Sequence, residues 1–139
     1  MPVAPHEEFL KVILDSNALF IPIQFKIDVF DELTRMLNRR FELILLSPVM
    51  RELKTLAEKG SPKMRKSAGF ALKLAEKCKT VEIDAPAPAL VDEVILKIAQ
   101  KWGSPVLTND KQLRRRLRDI SVPVIYLRQK SHLEIDGMI

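Results

Sequence analysis

The chain has 139 residues, 47 % apolar and 29 % charged, with 23 Lys and Arg against 18 Asp and Glu for a net charge of +5. That length and composition predict one domain with a real core. No apolar run approaches the roughly 20 residues of a membrane span, and the first residues lack the basic and apolar segments of a signal peptide, so a cytoplasmic protein with no membrane partner is expected. One cysteine (Cys78, read as packing), two histidines (His6 and His132) and four scattered glycines exclude an internal disulfide and a cysteine zinc site, and argue against paired-imidazole chemistry and a glycine-rich phosphate loop.

Residues 9–14, Phe-Leu-Lys-Val-Ile-Leu, predict a mostly buried first strand. Asp15, Ser16 and Asn17 follow at once, so a carboxylate stands at the strand's C-terminal end. Burial there is costly unless a helix start or a metal ion compensates it. Residues 18–24, with Pro22, predict a loop or a short turn of helix. Over 25–40, Ile27, Phe30, Leu33 and Leu37 recur at helical spacing, and Asp28, Asp31 and Glu32 read as a solvated face. Residues 41–46 predict the second strand. Ser47 and Pro48 then predict a helix start, with Ser as N-cap and Pro at the first helical position. The stripe Val49, Met50, Leu53, Leu56 and Ala57 leaves Glu52 at its border, about one turn in.

Gly60, Ser61 and Pro62 break the chain. A helix is predicted over 63–79, a short strand over 81–83 and a stiff loop with two prolines over 84–88. Over 89–102, Val91, Val94, Ile95, Ile98, Ala99 and Trp102 form one stripe, with Trp102 read as core packing. Asp92 sits at the edge of the stripe in the first turn, and Glu93 points away. A first-turn acid also suits the helix dipole, so on this stretch alone Asp92 is either a structural or a functional acid. Val106 and Leu107 predict a buried strand, and Thr108, Asn109 and Asp110 are turn-competent residues able to cap the helix marked by Leu113 and Leu117. Asp110 therefore reads as an N-cap or as a site carboxylate. Lys111, Arg114, Arg115, Arg116 and Arg118 cover the rest of that helix. A strand over 122–127 and a hairpin through 128–131 to an edge strand over 132–136 complete the chain.

Strands alternating with helices imply a mainly parallel sheet covered on both faces, with function at the strands' C-terminal ends. Asp15 and Asp110 follow strands directly, while Glu52 and Asp92 lie in first turns at the same end. Four like charges on one rim would repel, and hard divalent cations with oxygen ligands, Mg²⁺ or Mn²⁺, resolve that. A basic exterior around an acidic pocket suits a polyanion such as RNA.

The runs Val12-Ile13-Leu14-Asp15-Ser16-Asn17, Glu52-Leu53 after Ser-Pro-Val-Met-Arg, Val91-Asp92-Glu93-Val94-Ile95-Leu96, and Val106-Leu107-Thr108-Asn109-Asp110-Lys111-Gln112-Leu113 together resemble PIN-domain nucleases over essentially the whole chain. The tail resembles archaeal members related to ribosomal-RNA-processing PIN proteins and, less closely, VapC toxin-type members. The resemblance implies a single PIN-like domain over 1–139, a three-layer α/β/α sandwich around a mainly parallel central sheet. It implies Asp15, Glu52, Asp92 and Asp110 as metal-binding catalytic acids, with Asn17, Thr108 and Asn109 supporting them. Lys111, Arg114, Arg115 and Arg118 would hold the RNA backbone. One departure is Val91, where many members carry Ala; Glu93 would substitute for Asp92 if the register were one residue off. The implied activity is a metal-dependent endoribonuclease in RNA processing or ribosome assembly. The alternatives are a non-cleaving RNA-binding or assembly protein, and a toxin paired with an antitoxin. Implied partners are RNA, a second copy in a homodimer, and an antitoxin or ribosome-assembly factor.

Overall fold

The computed structural model describes residues 9–84 and 90–139. In chain order its strands are β1 (Leu10–Leu14), β2 (Phe41–Leu46), β3 (Lys79–Val81), β4 (Val106–Leu107), β5 (Val124–Arg128) and β6 (His132–Asp136). Its helices are α1 (Ile21–Phe25), α2 (Val29–Leu37), α3 (Ser47–Lys59), α4 (Pro62–Ala75), α5 (Val91–Trp102) and α6 (Lys111–Asp119), with a 3₁₀ turn over Ser16–Phe20.

Val12, Ile13, Leu14, Leu43, Ile44, Leu45, Leu46, Val106, Leu107, Val124 and Ile125 are all buried. Consecutive buried apolar positions mean that both faces of these strands are covered, as in the centre of a parallel sheet. The six strands run in the order β3-β2-β1-β4-β5-β6. β1 pairs in parallel with β2 (Ile13 opposite Ile44) and with β4 (Ile13 opposite Val106), and β4 pairs in parallel with β5. Only β6 is antiparallel, joined to β5 by the expected hairpin. The helices flank this sheet in three α/β/α layers.

Several local expectations change. The apolar spacing over 25–40 crosses a break: Lys26 takes a left-handed conformation (φ 55°) after α1, and α2 starts only at Val29, capped by the Asp28 carboxylate on the Asp31 N–H at 3.0 Å. Glu32 is not simply solvated; its Oε1 accepts the Leu133 N–H of edge strand β6 at 3.2 Å. Ser47 is not an N-cap. Leu46 holds that position, and the Ser47 hydroxyl instead accepts the Ile83 N–H at 2.9 Å, tying the exit of β3 to the head of α3. β3 lies at 79–81 rather than 81–83, and the helix expected over 63–79 ends at Ala75. The strand expected over 122–127 runs over Val124–Arg128. Of the loop expected over 84–88, all but Asp84 lies outside the described residues, as does Ala89. Cys78 is half-buried and burial pushes its thiol up to about 11, which suits packing rather than reactivity. Trp102 packs against the core while Lys11 lies over its ring, 4.7 Å from the centroid.

Candidate active site

From β1 the chain moves outward to β2 and β3, then returns to β4 on the other side of β1. Loops leaving β1 and β4 therefore diverge, and a crevice opens at the C-terminal ends of these two strands. Asp15 is the first residue beyond β1. Its N–H still donates to Leu107 O at 3.0 Å, so the sheet ladder fixes its backbone. The residue is 5 % exposed. Its Oδ2 accepts from the Thr108 hydroxyl at 2.8 Å and from Asn17 Nδ2 at 3.0 Å, and its Oδ1 accepts the Ser16 N–H at 2.8 Å.

Those partners come from both diverging loops. Fully buried Thr108 also accepts the Asp110 N–H on its hydroxyl oxygen at 3.1 Å. Asn17 Oδ1 accepts the Asn109 N–H at 2.9 Å, and Asn109 Oδ1 accepts the Leu127 N–H on β5 at 3.3 Å. Asn17, Thr108 and Asn109 thus lock the two loops together around one carboxylate. Buried networks of this kind fix side-chain geometry when every member is satisfied. Among the described residues, no buried side-chain polar atom lacks a partner.

The other three acids approach from helix starts. Glu52 lies in the second turn of α3 rather than the expected first, because the helix already begins at Ser47, and its Oε1 accepts the Ser16 hydroxyl at 2.6 Å. Asp92 is in the first turn of α5. Asp110 caps α6, with Oδ1 accepting the Gln112 N–H at 2.8 Å and the Leu113 N–H at 3.3 Å. Its Oδ2 accepts no hydrogen bond among the described residues, so capping leaves one oxygen over.

Burial, with a smaller contribution from neighbouring acids, raises two of the four carboxylates. Burial, and then the nearby Asp92 and Glu52 carboxylates, raise Asp15 to about 6 against the lowering effect of its hydrogen bonds from Thr108 and Ser16. Asp92 is likewise raised, first by burial and then by Asp110 and Glu52. The structure therefore brings Asp15, Glu52, Asp92 and Asp110 to one rim. Glu93 does not join them; it is exposed and pairs with Arg116 at 2.6 Å, which removes the off-by-one register. The donor set is all carboxylate oxygen, the chemistry that hard divalent cations take. Among the described residues, no three acid, imidazole or thiol side chains are grouped closely enough to hold a metal ion between them.

The basic residues divide. Lys111 and Arg115 are exposed. Arg114 and Arg118 are half-buried and both bind Asp136, through Nε at 3.0 and 3.2 Å, and so staple α6 to the end of β6. Ser16 is the residue that local reading overlooked: its contact with Glu52 spans 36 positions, and only the Asp-Ser-Asn run hinted at it. No described helix is long and apolar enough to cross a membrane.

This arrangement has relatives. Residues 12–130 match the family described as PIN like domain. The chain is 34 % identical over 130 residues to Ribonuclease VapC4 of Methanocaldococcus jannaschii, covering 93 % of this chain and 98 % of that protein. It is 31 % identical over 124 residues to Ribonuclease VapC9 of Archaeoglobus fulgidus, covering 89 % and 87 %. The fold also superposes on the PIN domain endonuclease Utp24 with a TM-score of 0.77, covering 93 % of this chain and 92 % of that one, at 24 % identity. The family match over residues 12–130 and two relatives above 30 % identity along most of their length agree: the chain belongs to the PIN-domain family.

Proposed function

We propose that this PIN-domain protein is an endoribonuclease that hydrolyses RNA phosphodiester bonds with the help of Mg²⁺ or Mn²⁺. The observation that carries the reading is a buried carboxylate at the β1–β4 crevice, Asp15, held by a dedicated hydrogen-bond network from both strand-end loops, with Glu52 tied to the neighbouring Ser16. A divalent cation bound there would supply an activated water and offset charge on the phosphate oxygens. Asp15, Glu52, Asp92 and Asp110 are the residues that would hold it. Thr108 and Asn17 keep Asp15 oriented, Ser16 orients Glu52, and the oxygen of Asp110 not used in capping faces no competing donor among the described residues. Lys111 and Arg115, exposed on the helix that Asp110 starts, draw the RNA backbone to the rim. Arg114 and Arg118 contribute less to that role, because Asp136 already engages both.

The names of the two relatives support ribonuclease activity, and they favour a second reading at the cellular level: a VapC-type toxin held by an antitoxin. The processing or ribosome-assembly role rests on the tail's resemblance to archaeal processing members. A homodimer remains part of the proposal for either role. The test is cleavage of a mixed single-stranded RNA pool by the purified chain, with Mn²⁺ and with EDTA. New RNA ends formed only with the metal are expected. Intact RNA under both conditions, from folded protein that still binds RNA, would replace the enzyme with a non-cleaving RNA-binding or assembly protein.

A further inference from the structure

A groove of about 410 Å³ runs from the acid rim toward the β5–β6 hairpin. Thr108 and Asp110 belong to its lining, and Asp110 is the one acid among the lining residues. Its walls carry two aromatic rings, Phe25 and Tyr126, and four cations, Lys111, Arg114, Arg128 and Lys130. Aromatic faces interleaved with cations, beside a rim that acts on phosphodiesters, are the chemistry of single-stranded nucleic-acid contact.

The wall is held in place before any ligand arrives. The Arg114 guanidinium lies over the Tyr126 ring, 3.6 Å from its centroid, and Asp136 pins it. Glu134 accepts the Tyr126 hydroxyl at 3.2 Å and Arg128 Nη1 at 3.0 Å, so ring and cation share one anchor. At the hairpin tip Gln129 (φ 54°) and Lys130 (φ 56°) both occupy the left-handed region. The loop between the paired Arg128 and His132 has three residues, 129–131, and left-handed positions in hairpin turns ordinarily use Asn and Gly. Side chains kept at such positions point to a use for them.

We infer that the β5–β6 hairpin is the substrate-positioning wall for a nucleotide flanking the cut bond: an unpaired base enters the groove bounded by Phe25 and Tyr126, and its phosphates meet Lys111, Lys130 and the part of the Arg128 guanidinium left over by Glu134, which takes Nη1. This rests on the endoribonuclease reading. It extends the approach along Lys111 and Arg115 of α6 to the hairpin, while Arg114 and Arg118 are engaged by Asp136, with Arg114 backing the Tyr126 ring.

The experiment measures two things on one set of proteins: affinity for a short fluorescein-labelled single-stranded RNA of randomised sequence in EDTA, and its cleavage in Mn²⁺. Tyr126→Ala is expected to weaken affinity about tenfold, the loss of one stacked base, and to raise KM far more than it lowers kcat. Tyr126→Phe, which keeps the ring and gives up the hydroxyl, should restore binding. The double variant Arg128→Gln/Lys130→Gln should flatten the slope of log Kd against log salt by about 1.4, the value for two lost phosphate contacts on a single strand. Should Tyr126→Ala fail to fold, the double variant at the exposed hairpin still decides. Wild-type affinity and salt slope in folded variants, with cleavage intact in the wild type, would overturn the groove and leave the nuclease reading standing. RNA binding that responds to these variants, in a protein that never cleaves, would do the reverse. A wild type that neither binds nor cleaves RNA would remove both.

Discussion

Two nine-residue helices, α2 and α6, start in the same way and end up with different prospects. Asp28 caps α2 by accepting the Asp31 N–H, and Asp110 caps α6 by accepting those of Gln112 and Leu113. Locally the two carboxylates do the same work, and each satisfies donors that a helix start leaves open. What differs is the structure behind them. Asp28 is exposed and follows a left-handed turn at Lys26, with the acids of its own first turn already answered by Arg35. Asp110 follows a two-residue buried strand at the switch point of the sheet, with Thr108 on its backbone and Asp92 close enough to be destabilised by its charge. Capping and site chemistry are therefore not rival explanations of one Asp. The cap uses Oδ1, and the topology decides whether the rest of the carboxylate has anything to do.

The largest expected effect breaks this pair apart. Asp110→Asn keeps a good N-cap residue, because the amide oxygen still accepts the helix N–H groups, but it removes a charge from the rim. Mn²⁺-dependent RNA cleavage should fall about a hundredfold or more, the usual scale for disturbing a metal site, with the circular dichroism spectrum unchanged. Asp28→Asn, the same chemical change at the other cap, should leave cleavage within experimental scatter. Equal activity in the two variants would return Asp110 to the status of a cap and nothing else.

A second contrast concerns acidity. Asp15, raised to about 6 from an ordinary 3.8, is ionised in both folded and unfolded chains above that range, and the folded state then carries the cost of the buried charge. As pH falls from about 6 to about 4 the folded protein takes up the proton first, so this group stabilises the metal-free fold progressively, by at most about 3 kcal/mol at 1.36 kcal/mol per unit. Carboxylates engaged in ion pairs work the other way, as at Glu134, which hydrogen bonds from His132 and Arg128 hold below its usual range. Comparison with Asp15→Asn isolates the effect. In EDTA at neutral pH the variant should unfold at higher urea than the wild type, and the gap should close between pH 6 and pH 4. A variant less stable than the wild type at neutral pH would mean that the hydrogen bonds from Thr108 and Asn17 outweigh the buried charge.

The same contrast separates what could be read in the sequence from what could not. Strands β1, β2 and β4 were legible because both faces are buried toward their C-terminal ends, so Val12–Leu14, Leu43–Leu46 and Val106–Leu107 run apolar without interruption. Asp15 and Asp110 stood out for the same reason, as the first acids after such runs. Glu52 and Asp92 emerged from helical periodicity, since each borders an apolar stripe. The failures share a cause as well. Ser47-Pro48 reads locally as a capped helix start, but its hydroxyl is taken by the Ile83 N–H, which lies 36 positions away. The spacing of Ile27, Phe30, Leu33 and Leu37 continues across a break that only backbone geometry at Lys26 reveals. The pairing of Arg114 and Arg118 with Asp136 was equally hidden, because Asp136 lies on an edge strand whose place beside α6 depends on the whole sheet. Local pattern specifies elements and strand ends; pairings across the sheet wait for topology.

The smallest expected effect is the most discriminating about what an N-cap contributes. Removing either cap outright, by Asp28→Ala or Asp110→Ala, forfeits hydrogen bonds to open helix donors at a cost of about 1 kcal/mol each. At Asp28 nothing offsets that loss, so the metal-free variant should melt about 3 °C below the wild type. At Asp110 the same truncation also relieves the repulsion felt by Asp92, which returns part of the stability in EDTA. Calorimetry in EDTA should therefore find Asp110→Ala less damaged than Asp28→Ala, although Asp110 makes two capping bonds and Asp28 one. With saturating Mn²⁺ the order should invert, because the ion stabilises the wild type and Asp28→Ala by mass action and has lost a ligand in Asp110→Ala. An order that stays the same with and without the ion would mean that Asp110 and Asp28 differ in nothing but position.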